Sequence, residues 1–140
     1  MKVLAYLNFD GRCEEAIEFY RHTLGAEVEA LMRFKDSPEP CPPGMLPPGA
    51  ENKVMHSSFR IGETTLMASD CHAAGKASFQ GISLAINPAD EAKAKKVFDA
   101  LAEGGKVAQP LSKTFFSPAF GVVADKFGVT WMIHVEGAKK

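Results

Sequence analysis

The sequence predicts an α+β fold in which two βαβββ modules form one curved mixed sheet around a cleft, with the helices outside. Three observations support this prediction. The order strand, helix, strand, strand, strand can be read twice along the 140 residues. Each amphipathic helix is followed by a glycine, Gly25 or Gly104, and glycine is the residue that most often ends a helix. Apolar residues alternate along the strands, so one face of the sheet is expected to contact the helices.

The first module is expected at about residues 1–72. Its strands are predicted at 2–9, 27–34, 54–61 and 64–69, and its helix at 12–24. Asp10 is a plausible N-cap for this helix. The helix has one apolar stripe, formed by Cys13, Ala16, Ile17, Tyr20 and Leu24. A proline-rich loop at 37–52 interrupts the module, and it is either a surface excursion or a functional lid or dimer arm.

The second module is expected at about residues 79–137, after a short linker of small and polar residues. Its strands are predicted at 81–86, 106–111, 115–124 and 130–135, and its helix at 89–103. Asn87 is the expected N-cap and Pro88 suits the first helical position. Together the two modules are predicted to make one domain that covers residues 1–140.

Composition excludes several classes of partner. The net charge is −1 and basic residues are dispersed, which argues against a nucleic-acid or anionic-membrane surface. No apolar run approaches the roughly 20 residues that a membrane helix needs. The three cysteines, Cys13, Cys41 and Cys71, are an odd number and form no CxxC pair. This pattern favours a reduced, cytoplasmic setting.

Strand alternation also predicts a second face, turned away from the helices and lining the cleft. Apolar bodies with a few polar groups are typical of small-molecule sites. The candidate ligand-binding residues on this face are Tyr6, Asn8, His56, Ser58, Arg60, Met67, Ser69, Phe116, Met132 and His134. Arg60 is suited either to a carboxylate or phosphate ligand or to a structural pair with an acid such as Asp70, and either histidine can move protons near neutral pH. Trp131 is expected on the helix side, in the core. No nucleophile with a recognisable base is present, so no catalytic residue is assigned.

Four segments, AYLNFDGRCEEAIEFYRHTLGAE, HSSFRIGETTLMASD, GKASFQG and FGVVADKFGVTWMIHV, resemble the PhnB-like branch of the vicinal-oxygen-chelate superfamily, which includes glyoxalase I, bleomycin-resistance proteins and extradiol dioxygenases. The resemblance implies paired βαβββ modules and usually a homodimer. The branch is often labelled a ubiquinone-pathway methyltransferase. That activity is the least favoured here, because no strand is followed by a GxGxxG turn and 140 residues leave no room for a Rossmann-like domain.

The resemblance also bears on metal binding. Metal-using members take ligands from the first and last strands of each module, and those places align with Leu4, Met67, Gly81 and Met132. Leucine and glycine offer no ligand, and a thioether is a poor ligand for a hard divalent ion. We therefore expect a small-molecule binder without the usual metal site and without a cofactor, in the manner of the drug-sequestering members. The alternative is a metal-dependent lyase, isomerase or dioxygenase-type enzyme with relocated ligands, drawn from His56, Asp70, His72 and His134.

Overall fold

The computed structural model describes residues 1–36, 50–70 and 78–137, and the chain divides into two compact units, Met1–Ala77 and Ser78–Lys140. The elements of the first unit are β1 (Tyr6–Asn8), α1 (Cys13–Leu24), β2 (Glu27–Arg33), β3 (Val54–Ile61) and β4 (Thr64–Ser69). They form a four-stranded mixed sheet in the order β1-β4-β3-β2. The β1–β4 pair is parallel and the other two pairs are antiparallel.

The second unit repeats this plan. Its elements are β5 (Ser83–Ile86), α2 (Glu91–Ala102), β6 (Lys106–Ser112), β7 (Phe120–Ala124) and β8 (Thr130–His134). The strand order is β5-β8-β7-β6, again with one parallel pair, β5–β8, at the edge. The predicted α+β fold of two βαβββ modules is therefore confirmed, but the described strands form one four-stranded mixed sheet in each module instead of the single curved sheet that was expected.

The core of the first unit lies between α1 and one face of its sheet. The ring of Tyr20, in α1, stacks on Phe59 of β3 with centroids 6.1 Å apart, and it also contacts Phe9 at 6.4 Å. The predicted stripe is buried at Cys13, Ala16, Ile17 and Tyr20. Gly25 ends the helix with φ of 68°, a left-handed conformation that glycine adopts without strain.

The core of the second unit is built in the same way around α2. A Cβ added to Gly121 of β7 would lie 2.7 Å from a ring carbon of Phe98, so only glycine permits this helix–sheet contact. Trp131 is 3% exposed and donates from Nε1 to Asp125 Oδ2 at 2.9 Å. The expectation that Trp131 belongs to the core is confirmed.

Both predicted helix caps are wrong. The residue before α1 is Arg12, not Asp10, and it makes no side-chain cap bond. The amides at the start of α1 are instead bound by a carboxylate that is distant in sequence. Asp70 Oδ1 accepts from the amides of Gly11 (2.7 Å) and Cys13 (2.9 Å). The N-cap of α2 is Asp90, which accepts from the amide of Lys93 at 2.8 Å. Asn87 instead donates its side-chain amide to the His134 carbonyl oxygen.

Three strands begin later than predicted. The first is confined to Tyr6–Asn8, and the fifth begins at Ser83, which leaves Ile82 68% exposed. The seventh begins at Phe120, because the Thr114 amide donates to the Ser117 carbonyl oxygen and closes a turn. Within the proline-rich loop, Ala50–Asn52 forms a short 3-10 helix, and 37–49 lie outside the described residues. No helix in the described ranges is long and apolar enough to cross a membrane.

Candidate functional site

In the first unit, several predicted site residues share the sheet face opposite α1. Met67 of β4 is in register with Tyr6 on one side and Ser58 on the other. Tyr6 is 47% exposed, and its ring centroid lies 6.0 Å from that of His56, which is also exposed. The structure thus places four of these side chains on one surface of three neighbouring strands.

A β-bulge at Met55 sets which side chains of β3 reach this surface. The register with β2 changes from Met32 opposite His56 to Arg33 opposite Val54, so β3 carries one extra residue there. Val54 is consequently buried on the same side as Ser57 and Phe59. His56, Ser58 and Arg60 point the other way, as the alternation predicts.

Arg60 is already engaged by a carboxylate. It forms an ion pair with Glu27, its register partner on β2, and both side chains are largely exposed. The structural alternative for Arg60, a pair with an acid, is therefore observed, but the acid is Glu27 and not Asp70, which accepts from backbone amides. An anionic ligand at Arg60 would have to compete with Glu27.

Asn8 and Ser69 are register partners on β1 and β4. Asn8 is half-buried, and its Oδ1 accepts from the Asp10 amide at 3.2 Å. Ser69 is fully buried, so it lies beneath the sheet surface rather than on it. Asn8 therefore supports the local backbone, and the burial of Ser69 leaves it no exposed surface for a ligand.

The second unit contains a cluster of four aromatic rings in contact, which we call the aromatic wall. Its members are Phe115, Phe116, Phe120 and His134. Phe116 contacts Phe115 at 5.1 Å, Phe120 at 5.0 Å and His134 at 5.7 Å between ring centroids. Phe120 and His134 are register partners on β7 and β8, and their rings are 6.0 Å apart. The contacts are edge-to-face, the arrangement that aromatic quadrupoles favour.

The wall is exposed at one end and half-buried at the other. Phe115 is 100% exposed and Phe116 44%, whereas Phe120 and His134 are half-buried. Met132 lies two residues before His134 on the same strand face and is also half-buried. Phe116, Met132 and His134, all predicted as site residues, are thus on one surface, although Phe116 comes from the loop before β7 and not from the strand.

A buried serine fixes this loop. Ser117 is 3% exposed, and its Oγ lies 2.6 Å from the Val135 carbonyl oxygen, just beyond β8. The hydroxyl of Thr114 accepts from the amides of Phe116 (3.3 Å) and Ser117 (3.1 Å). These hydrogen bonds hold the backbone of the loop that carries Phe115 and Phe116.

His134 presents an unusual polar atom inside this apolar surface. Its Nε2 is buried and has no hydrogen-bond partner among the residues that the structure describes. Buried polar atoms normally have such a partner. The edge-to-face rings of Phe116 and Phe120 flank the imidazole. A ligand that reaches Nε2 would find a hydrogen-bonding atom in an otherwise apolar setting.

The residues at the superfamily's metal positions do not fit a divalent ion. Met67 and Met132 are on β4 and β8, but each offers only a thioether. Leu4 precedes β1, and Gly81 precedes β5 with φ of 78°. By register, the neighbours of the two methionines on β1 and β5 are Tyr6 and Ala85.

The relocated ligand set receives no support from the described residues. Both carboxylate oxygens of Asp70 accept hydrogen bonds from backbone amides, and His72 lies outside the described ranges. Among the residues that are described, no three or more of His, Cys, Asp and Glu are grouped so that they could hold a metal ion.

A cavity of about 630 Å³ in the first unit, beside the N-terminal end of α1, was not predicted. It is lined by Gly11, Glu14, Glu15, Glu18, Arg33, Asn52, Lys53, Val54 and Asp70. The two cationic side chains that line this cavity already have partners in its lining. Arg33 Nη1 donates to Glu14 Oε1 at 3.1 Å, and Lys53 Nζ donates to the Gly11 carbonyl oxygen at 2.9 Å. No sequence spacing signals these long-range pairs, and they leave little free charge for a ligand.

Comparison with known proteins agrees with the fold. A family model described as 3-demethylubiquinone-9 3-methyltransferase matches residues 1–134. Protein YjdN from Escherichia coli (strain K12) is 39% identical over 96% of this chain and 95% of its own length. The crystal structure of PA1353 from Pseudomonas aeruginosa is 40% identical, with a TM-score of 0.84 over 97% of this chain and 98% of that one.

Two further structures are similar to this chain, the second of them in fold alone. A PhnB protein from Bacillus cereus is 28% identical, with a TM-score of 0.80 over 96% of this chain and 99% of that one. A glyoxalase-related enzyme from Fulvimarina pelagi, 17% identical, shares the fold with a TM-score of 0.63 over 97% and 88% of the two chains. The chain belongs to the PhnB-like family of the vicinal-oxygen-chelate superfamily, whose family model carries the methyltransferase description.

Proposed function

We propose that this chain binds a small, largely apolar molecule on the aromatic wall, and that it does so without the metal site usual in its superfamily. The proposal includes a homodimeric, cytoplasmic protein, supported by the family resemblance and by the odd number of cysteines, which form no CxxC motif. It compares the chain with the drug-sequestering, bleomycin-resistance-like members rather than with the metal-dependent enzymes.

The observation that supports this proposal best is a group of exposed aromatic rings on a loop whose backbone is held by hydrogen bonds. Phe115 and Phe116 are exposed although both are large and apolar, and the hydrogen bonds of Ser117 and Thr114 hold their loop. Aromatic rings provide contact area at little conformational cost. A half-buried imidazole beside them adds one polar group, which is the usual composition of a small-molecule site.

The Tyr6–His56 pair is a second surface of similar chemistry in the first unit. It is a weaker candidate, because the neighbouring ion pair of Arg60 and Glu27 adds charge to that face. We therefore assign the principal contacts to Phe116, Phe120, Met132 and His134. Tyr6, Asn8, His56, Ser58, Arg60 and Met67 are secondary candidates.

A ligand-dependent stability screen tests the proposal. A library of metabolites and apolar drugs is titrated while the thermal unfolding midpoint is measured. A ligand present at 100 times its dissociation constant adds about 2.7 kcal/mol to the free energy of unfolding. We expect the hits to be aromatic compounds, and a complete lack of stabilisation by any compound would count against the proposal.

A pair of variants tests whether the compounds found in this screen bind at the aromatic wall. Phe116→Ala removes an exposed ring from the wall and should weaken binding about tenfold, since an aromatic pair contributes about 0.5–1.5 kcal/mol beyond buried area. Phe19→Ala removes a half-buried ring from α1 in the other unit and should leave binding unchanged. Equal weakening by both variants would place the site elsewhere.

A further inference from the structure

Resting on the proposed function, we propose that the ligand is a neutral aromatic compound with one hydroxyl group, and that this hydroxyl bonds to Nε2 of His134. The proposal starts from the single unsatisfied atom of the aromatic wall. His134 Nε2 is buried and lacks a hydrogen-bond partner among the described residues, while Phe116 and Phe120 flank its ring. Because Nε2 is buried in the free protein, a ligand hydroxyl reaches it only when the exposed ring of Phe116 turns aside. The new bond then satisfies an atom that has no partner among the described residues.

A hydroxyl group suits this nitrogen in either tautomer of the neutral imidazole. Nε2 is an acceptor when the proton is on Nδ1, and a donor when it carries the proton itself. A hydroxyl both donates and accepts, so it can pair with His134 in either case. A methyl group in the same place would leave the nitrogen unsatisfied.

The surrounding rings select a neutral molecule. Phe115, Phe116 and Phe120 carry no charge and form one side of the site with edge-to-face contacts at 5.0 and 5.1 Å. A carboxylate would lose its hydration against these rings, and the three phenylalanines offer no cation in exchange. A flat aromatic ring instead matches the preferred geometry of such contacts.

Three matched probes test the inference on the full chain: 2-naphthol, 2-methylnaphthalene and 2-naphthoate. They share one ring system and differ in the group offered to His134. We expect the wild-type protein to bind 2-naphthol about tenfold more tightly than 2-methylnaphthalene, the ratio expected for one net hydrogen bond. We expect 2-naphthoate to bind no more tightly than 2-methylnaphthalene.

Two variants locate the effect. His134→Phe should abolish the advantage of 2-naphthol over 2-methylnaphthalene while the affinity for 2-methylnaphthalene changes little. The control His22→Phe changes an exposed histidine of α1, outside both candidate surfaces, and should keep the advantage. A second measurement needs no variant: the imidazole 15N resonance of His134 should shift with 2-naphthol and not with 2-methylnaphthalene.

The outcomes separate the two proposals. Equal affinity of the wild-type protein for 2-naphthol and 2-methylnaphthalene, or tighter binding of 2-naphthoate, would overturn the inference about the ligand and leave the aromatic site standing. Failure of all three probes together with an empty library screen would overturn the proposed function itself. If His134→Phe does not fold, an unmoved His134 15N resonance in the wild-type protein still overturns the inference.

Discussion

At the scale of single residues, the ion pair between Glu14 and Arg33 is the clearest electrostatic feature of the first unit. The hydrogen bond from Arg33 holds the pKa of the Glu14 carboxyl below its ordinary value of 4.5, and partial burial opposes this effect only in part. The same contact raises the pKa of Arg33. The pair links α1 to β2 at the edge of the cavity beside α1.

This shift predicts a pH dependence of stability. Because the pKa of Glu14 is lower in the folded chain, its contribution is fully present above the unfolded-state pKa and is lost as the pH falls through the folded-state pKa. Glu14→Gln should therefore lower the free energy of unfolding at pH 7 and have little effect in strong acid. Urea unfolding at several pH values measures this difference. A cost that is the same at every pH would show that the carboxylate charge is not involved.

Other single-residue features could not be predicted from the sequence. Asp10 precedes α1 as a capping residue would, yet its φ of 47° takes it out of that role. The carboxylate that binds the helix amides, Asp70, is far along the chain, and no local pattern identifies it. The His134 Nε2 atom, which is buried and has no partner in the part of the chain that the structure describes, could not be predicted either, because its setting depends on the rings of Phe116 and Phe120.

At the scale of elements, Asp70 joins the end of β4 to the starts of both α1 and β3. Its Oδ1 accepts from the amides of Gly11 and Cys13, its Oδ2 from the amide of Val54 at 3.0 Å, and the residue is 1% exposed. Hydrogen bonds to a buried carboxylate are stronger than neutral ones. Asp70 thus fixes the position of α1 on its sheet.

Removal of this carboxylate should destabilise the first unit strongly. Asp70→Ala leaves three amides without their acceptor, and we expect it to lower the free energy of unfolding by about 3 kcal/mol or more. Hydrogen exchange should show faster exchange at Gly11, Cys13 and Val54. Asp99→Ala on the exposed face of α2 is the control and should stay within about 0.5 kcal/mol. An equally small effect of Asp70→Ala would refute this role.

The segment before β7 was predicted as strand and is a loop, yet Phe116 still lies among the predicted site residues of the second unit. Alternation across 115–124 suggested one long strand that carries Phe116. Local bonds of Thr114 and Ser117 compete with the sheet ladder and form a turn instead. Phe116 still contacts Phe120 and His134, because the turn folds its ring back onto the strand face.

At the scale of the whole molecule, the repeat was predictable because it depends on periodicity and glycine positions. Val54–Ile61 and Thr64–Ser69 match the predicted strands, and both helices lie within the predicted ranges. The sheet face that carries His56 in the first unit, and the one that carries His134 in the second, were also predicted by strand alternation. The bulge at Met55 and the cavity beside α1 did not, because both result from pairings between distant segments.

The central claim is that a small molecule binds on the aromatic wall of the second unit. The chain has six methionines, and Met132 lies on the strand face of His134, which makes its methyl group a local probe. Methyl NMR of methionine-labelled protein titrated with 2-naphthol tests the claim most directly. The claim predicts a saturable shift of the Met132 methyl signal and none at Met1, which is fully exposed. An unchanged Met132 signal at saturation, or shifts confined to methionines of the first unit, would contradict it.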